Sequence, residues 1–121
     1  MLQKNSQIFI IDNSDAQKVK CIHKYKKKRL RKNSNIGSIL LSSIKKRLQR
    51  KDLIKSKINK ILVAGVKKKT RRRSGEFFSS YKNKAILLDG KFQLLGSRIK
   101  NTLPKELKTF TSVTKKAKKL F

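Results

Sequence analysis

Tryptophan is absent from this chain, and proline, cysteine, histidine and methionine each occur once. A single cysteine, Cys21, permits no intramolecular disulfide, so nothing argues for a stapled secreted scaffold. His23, two positions after Cys21, brings the possible metal ligands there to two, where a structural zinc site takes four. Both are expected as strand residues facing the core. Acids are scarce: Asp12, Asp15, Asp52, Glu76, Asp89 and Glu106 are the whole set, mostly in turn contexts. No pair of them is spaced for acid–base work or for holding magnesium. Gly37, Gly65, Gly75, Gly90 and Gly96 lie too far apart for a phosphate-cradling loop. No apolar run approaches the roughly 18 residues that a membrane helix requires. Residues 1–6 are too short and polar for a signal peptide and too short for a transit peptide, so a protein made where it works is expected. The expectation is therefore a protein with no catalytic residues, no metal, no cofactor and no membrane partner.

What the chain has in excess is positive charge. Lys and Arg number 35 among 121 residues, for a formal net charge of +29. Such a balance says little about fold and much about partners: only a polyanion such as a nucleic-acid backbone neutralises charge at that density. Hydrophobic residues make up 36%, which fits one small domain over 1–121 with a modest core. Its barrel is expected to occupy about 1–100 and a helical C-terminal region about 101–121.

The basic residues cluster at 24–32, 45–51, 67–73 and 115–119, separated by apolar segments, as expected of a folded unit that meets phosphates on several sides. Residues 67–73 put six cations in seven positions. The apolar run 61–64 before them, and Gly75, Phe77, Phe78 and Tyr81 after them, predict two strands joined by a cationic hairpin. Candidate nucleic-acid contacts are Lys28, Arg29, Arg31, Lys45, Lys46, Arg47, Arg50, Lys67, Lys68, Lys69, Arg71, Arg72 and Arg73. The arginines can fork onto phosphate oxygens or stack on bases, while the lysines act as mobile point charges. Tyr25, Phe77, Phe78, Tyr81 and Phe92 lie beside basic stretches and permit base stacking. For Phe77, Phe92 and Phe110, core packing is the stronger expectation.

Elsewhere, Ile8 to Ile11 is an apolar run stopped by the turn formers of 12–15. Val19, Cys21, His23 and Tyr25 alternate with a mostly cationic face, as in a half-buried strand. Residues 36–38 turn the chain into a strand over 39–47, and Leu53 and Ile54 anchor the basic stretch that follows. Residues 85–88, Asp89-Gly90 and 91–95 read as a tight hairpin with a type I′ turn. Thr102 is expected to cap a short helix running to about Thr109. Val113, Ala117, Leu120 and Phe121 fall near one face of a final helix. Six or seven short strands favour a small closed β-barrel, because closure removes exposed edges.

In order along the chain, several motifs resemble the universal large-subunit ribosomal protein family numbered fourteen. They are Asp12-Asn13-Ser14, Ala16, Val19 and Cys21-Ile22, then Ile36-Gly37-x-Ile39 and the apolar 61–64 leading into Lys67-Lys68. Arg71-Arg72-x-x-Gly75, Asn83-x-Ala85-x-x-Leu88, Gly96-Ser97-Arg98-Ile99 and Pro104-x-Glu106-Leu107 complete the set. The departures are Asp15, Asn35, Ser38, Ser56-Lys57 and Ser74, where the family has glycines and carboxylates. The resemblance implies an all-β fold: a closed five-stranded barrel, a protruding basic hairpin and short C-terminal helices. It implies a structural role in the large ribosomal subunit, with large-subunit ribosomal RNA and neighbouring large-subunit proteins as partners. It also implies small-subunit ribosomal RNA at inter-subunit bridges, and a ribosome-silencing or anti-association factor docking at Gly96, Ser97 and Arg98. The drift toward Lys, Asn and Ile suggests an AT-rich gene, so a mitochondrially encoded protein is expected ahead of a plastid or bacterial one. Charge alone would also fit a histone-like nucleic-acid-binding protein of an organelle, and the basic C-terminus a membrane-active module.

Overall fold

The computed structural model describes residues 2–24, 34–48, 54 and 56–121. The first apolar run forms β1 (Gln7–Ile10), and residues 12–15 turn it into β2 (Ala16–Lys24). β3 (Ile39–Arg47) follows, then β4 (Ile58–Gly65). A small ribbon of β5 (Thr70–Arg71) and β6 (Phe77–Phe78) comes next, and then β7 (Lys84–Leu88). β1, β2, β3, β4 and β7 pair in that order into a closed barrel, and β5 with β6 stands outside it as a two-stranded sheet. Every barrel pair is antiparallel except β1 with β7, which closes the cylinder in parallel. Closure leaves none of these five strands with an unpaired edge to satisfy.

Two apolar clusters divide the molecule. Ile8, Val19, Leu40, Ile61, Val63, Ala85 and Leu87 fill the barrel interior, with Leu2 and Ile54 joining them. Leu62, Ala64, Ile86 and Leu88 point the other way and are covered by Ile11, Ile99, Leu103, Leu107 and Val113. From Ile61 in β4 and Ala85 in β7 onward, these strands are therefore buried on both faces, which is why their sequences run apolar there where β2 alternates. The cover is a 3-10 helix (Lys105–Thr109) and a short α-helix, α1 (Thr111–Lys116). The chain then extends and pairs back: the Phe121 N–H donates to the Leu103 carbonyl at 2.9 Å and the Lys105 N–H to the Phe121 carbonyl at 2.9 Å. Each apolar side chain the cover buries contributes about 1.5–3 kcal/mol, so this segment is part of the fold rather than a tail.

The all-β closed barrel, a basic hairpin around Gly75 and the β3 boundaries agree with expectation, but several details do not. The apolar run 61–64 is not an arm of that hairpin: β4 pairs with β3 and β7 in the barrel, the ribbon pairs only Thr70–Arg71 with Phe77–Phe78, and Tyr81 lies beyond it. Cys21 is buried whereas His23 is exposed, because the pairing slips between them: Cys21 faces Ser42 and His23 faces Leu41. That bulge takes up Ile22 and reverses the alternation. After β7 there is no second strand, only an isolated bridge between Leu88 and Leu94. The Phe92 N–H donates to the Asp89 carbonyl, the Asp89 N–H to the Gln93 carbonyl, and Phe92 takes the left-handed conformation at φ 62°. This is a three-residue loop, not the two-residue type I′ turn expected of Asp-Gly. Phe77 and Phe92 are exposed, and Phe78 is the ring that is buried; Phe110 is half-buried against the second cluster, as expected. Thr102 caps nothing: Pro104 holds the N-cap position. α1 ends at Lys116, so Leu120 and Phe121 belong to an extended segment instead of a helical face. Tyr25 and Leu53 lie outside the described residues.

Candidate nucleic-acid interface

Strand register places a row of side chains across the outside of the barrel. Lys46 on β3 pairs with Lys18 on β2, Lys18 with Phe9 on β1, and Phe9 with Lys84 on β7. Two ammonium groups gather on the Phe9 ring, Lys18 Nζ at 5.3 Å and Lys82 Nζ at 4.7 Å from its centre. Lys84 Nζ lies 4.4 Å from the Tyr81 ring, which is 70% exposed. Like charges directly opposite on neighbouring strands destabilise a sheet. Aromatic faces offset part of this by cation–π attraction, and an anion laid along the row would offset more.

The ribbon supplies a second basic surface. Arg71 pairs with Phe77 and Thr70 with Phe78. The tip closes through hydrogen bonds from the Arg72 N–H to the Glu76 carbonyl and from the Gly75 N–H to the Arg72 carbonyl. Gly75 sits at φ +87° with open space where a Cβ would be, so its backbone conformation is what calls for glycine there. Lys67, Lys68, Lys69, Arg71 and Arg73 are exposed. Arg72 is different. Its Nε donates to Glu106 at 2.8 Å, its Nη2 to the Phe121 carbonyl at 2.9 Å, and its guanidinium lies 5.1 Å from the centre of the buried Phe78 ring. One side chain thus fastens the ribbon to the C-terminal cover.

A third arrangement joins two motifs more than eighty positions apart. Asn13 Oδ1 accepts the Ser97 N–H at 2.8 Å and the Arg98 N–H at 3.1 Å, and Asn13 Nδ2 donates to Ser97 Oγ at 2.8 Å. Asp12 is buried and accepts the Ser14 N–H and the Leu87 N–H, both at 2.9 Å, together with the Ser14 hydroxyl. Burial pushes the Asp12 carboxyl above its ordinary value, against those hydrogen bonds and the Lys100 charge, which pull it down. Gly96 lies against this turn; a Cβ on it would meet Asn13 Oδ1 at 2.8 Å and Asp12 Cβ at 2.9 Å. Ser97 and Arg98 are held outward and exposed. With Asn13, Ile99, Lys100 and Lys118 they line a cleft of about 510 Å³, and Lys116 Nζ reaches the Gly96 carbonyl at 3.0 Å.

Of the residues expected to meet RNA, Lys45, Lys46 and Arg47 are exposed at the end of β3; Lys67, Lys68 and Lys69 are exposed in the segment leading into the ribbon, Arg71 on β5 and Arg73 at the tip. Lys28, Arg29, Arg31 and Arg50 lie outside the described residues. Lys18, Phe9, Lys82 and Lys84 were absent from the expectation, although the cationic alternation of β2 was its signal. Their neighbourhood comes from register across four strands, which no local pattern encodes. Among the described residues, no three His, Cys, Asp or Glu side chains come together as a metal site. Burial raises the Cys21 thiol pKa, away from reactivity.

Comparison with known families identifies the chain. The family model described as Ribosomal protein L14p/L23e matches residues 1–121. The chain belongs to that family of non-catalytic, structural proteins of the large ribosomal subunit.

Proposed function

We propose that this protein works in the large subunit by binding large-subunit ribosomal RNA, with its basic surfaces as phosphate contacts, and that it contributes to the inter-subunit face and its bridges. The observation that carries this reading is the opposition of Lys18 and Lys46 in a row that continues to Lys84. A fold that sets like charges side by side is suited to a polyanion that neutralises them. In this reading Lys45, Lys46, Arg47, Lys67, Lys68, Lys69, Arg71 and Arg73 face phosphates. Arg72, already engaged by Glu106 and Phe121, is the strut that presents the ribbon. Lys28, Arg29, Arg31 and Arg50, outside the described residues, are proposed as further phosphate contacts from the sequence.

Gly96, Ser97 and Arg98 form the docking surface for a ribosome-silencing or anti-association factor, with Asn13 as the residue that positions it. The preference for Lys, Asn and Ile supports an organelle-encoded, mitochondrial member. Purified mitochondrial ribosomes from the source organism should hold the chain in the large subunit; recovery only from plastid or cytoplasmic ribosomes overturns that placement.

Titration of large-subunit ribosomal RNA with the full chain at several salt concentrations tests the RNA reading. If about six to ten phosphates are neutralised, affinity on a duplex falls by roughly 10³ to 10⁵ between 50 and 200 mM salt, and folded RNA gives a comparable or shallower slope. A flat response refutes phosphate-dominated binding. Equal affinity for generic duplex DNA at matched salt favours a nucleoid protein instead.

A further inference from the structure

Beside the ribbon, a groove of about 410 Å³ runs between the segment after β6, the end of β4 and residues 100–104. Tyr81 forms one side of it, and Lys84 and Lys100 bring two cations to the walls. Ser80, Asn101 and Thr102 add hydroxyl and amide groups that can pair with the edge of a base. In a chain with so few aromatics, a ring 70% exposed with Lys84 Nζ at 4.4 Å and Lys82 Nζ at 5.6 Å is poorly explained by packing. A cationic track beside an exposed aromatic platform is how single-stranded nucleic acid is held without a sequence code. The row Lys46, Lys18, Phe9, Lys84 is such a track, and it ends at Tyr81.

We infer that this groove takes one unpaired nucleotide of ribosomal RNA, its base stacked on Tyr81 and its phosphates met by Lys84 and Lys100. The inference rests on the RNA reading above and adds to it a site that recognises an unstacked base, not only a charged backbone. The size fits, because small-ligand sites span roughly 300–1,000 Å³. The combination of apolar lining from Ile11, Ala64 and Phe78, polar edge groups and cations suits a nucleotide better than a duplex, whose bases are not available to stack.

The test uses the full chain with a large-subunit ribosomal RNA transcript, read by equilibrium binding and by short-wave ultraviolet cross-linking with peptide mapping. Tyr81→Ala should weaken binding roughly 5- to 150-fold, the loss expected for one stacked base, with the salt slope unchanged. Tyr81→Phe should stay within about twofold of the parent, while Tyr81→Leu should fail although it is apolar, because only a ring stacks. Lys84→Gln should lower the salt slope by about one phosphate. A cross-link at Tyr81 in the unaltered protein supports the site even if a variant folds poorly. If the parent binds with its salt slope but Tyr81→Ala or Tyr81→Leu binds equally well, or the groove cross-links to a protein neighbour in purified ribosomes, this inference is overturned and the RNA reading stands. If the parent does not bind the transcript, both fall.

Discussion

Replacing Arg72 by Met should release the ribbon from the body of the protein. The side chain makes three separable contacts: Glu106 at 2.8 Å, the Phe121 carbonyl at 2.9 Å and the Phe78 ring at 5.1 Å. The Glu106 side chain is 39% exposed, so that ion pair is worth about 0.5–1 kcal/mol after screening. The hydrogen bond to the Phe121 carbonyl adds about 1–1.5 kcal/mol, and the cation–π contact about 0.5–1 kcal/mol. The Glu76 contact, 3.7 Å with Glu76 68% exposed, adds nothing measurable. Arg72→Met should therefore cost about 2–3.5 kcal/mol, or on the order of 10 °C in Tm for a chain of this size. Arg72→Lys should recover less than half, because an ammonium group cannot reach two acceptors as a planar fork does. The assay is urea unfolding of the full chain by circular dichroism, with Glu106→Gln completing a double-mutant cycle. A coupling energy below about 0.3 kcal/mol, or an Arg72→Met loss below about 1 kcal/mol, refutes the strut.

Three further outcomes follow from the geometry. Asp12→Asn leaves a donor facing the Ser14 or Leu87 N–H and should cost about 1–3 kcal/mol in the same urea assay. Because the folded carboxyl lies above its ordinary value, its contribution is fully present below pH about 4 and is lost as pH rises through the folded value, so the parent should gain stability on mild acidification and Asp12→Asn should lose that gain. Gly96→Ala puts a Cβ 2.8 Å from Asn13 Oδ1; it should cost about 1–3 kcal/mol and speed hydrogen exchange at the Ser97 and Arg98 amides, whereas unchanged exchange contradicts the packing. Lys46→Gln removes one of two opposed lysines; it should stabilise the isolated chain by about 0.2–1 kcal/mol and lower the RNA salt slope by about one.

Local signals in the sequence were enough for most of the barrel strands and for the kind of partner, but not for the C-terminal segment. The apolar runs 61–64 in β4 and 85–88 in β7, the alternation of β2 and the Gly75 turn each follow from side-chain period and turn chemistry, and +29 points to a polyanion without any fold. What escaped depends on contacts between distant positions. Ile22 entering a bulge exposed His23, and Phe92 rather than Gly90 took the left-handed turn position. Asn13 gripped a loop 84 residues away. Arg72 met Glu106 and the Phe121 carbonyl, 34 and 49 positions away. By itself, the sequence determined a basic, mostly β chain of one recognisable family, because composition and periodicity are properties of neighbours. Only the tertiary structure decided which cations form a row, which aromatic rings stay exposed and which arginine is a strut, because closing the barrel sets the register that brings them together.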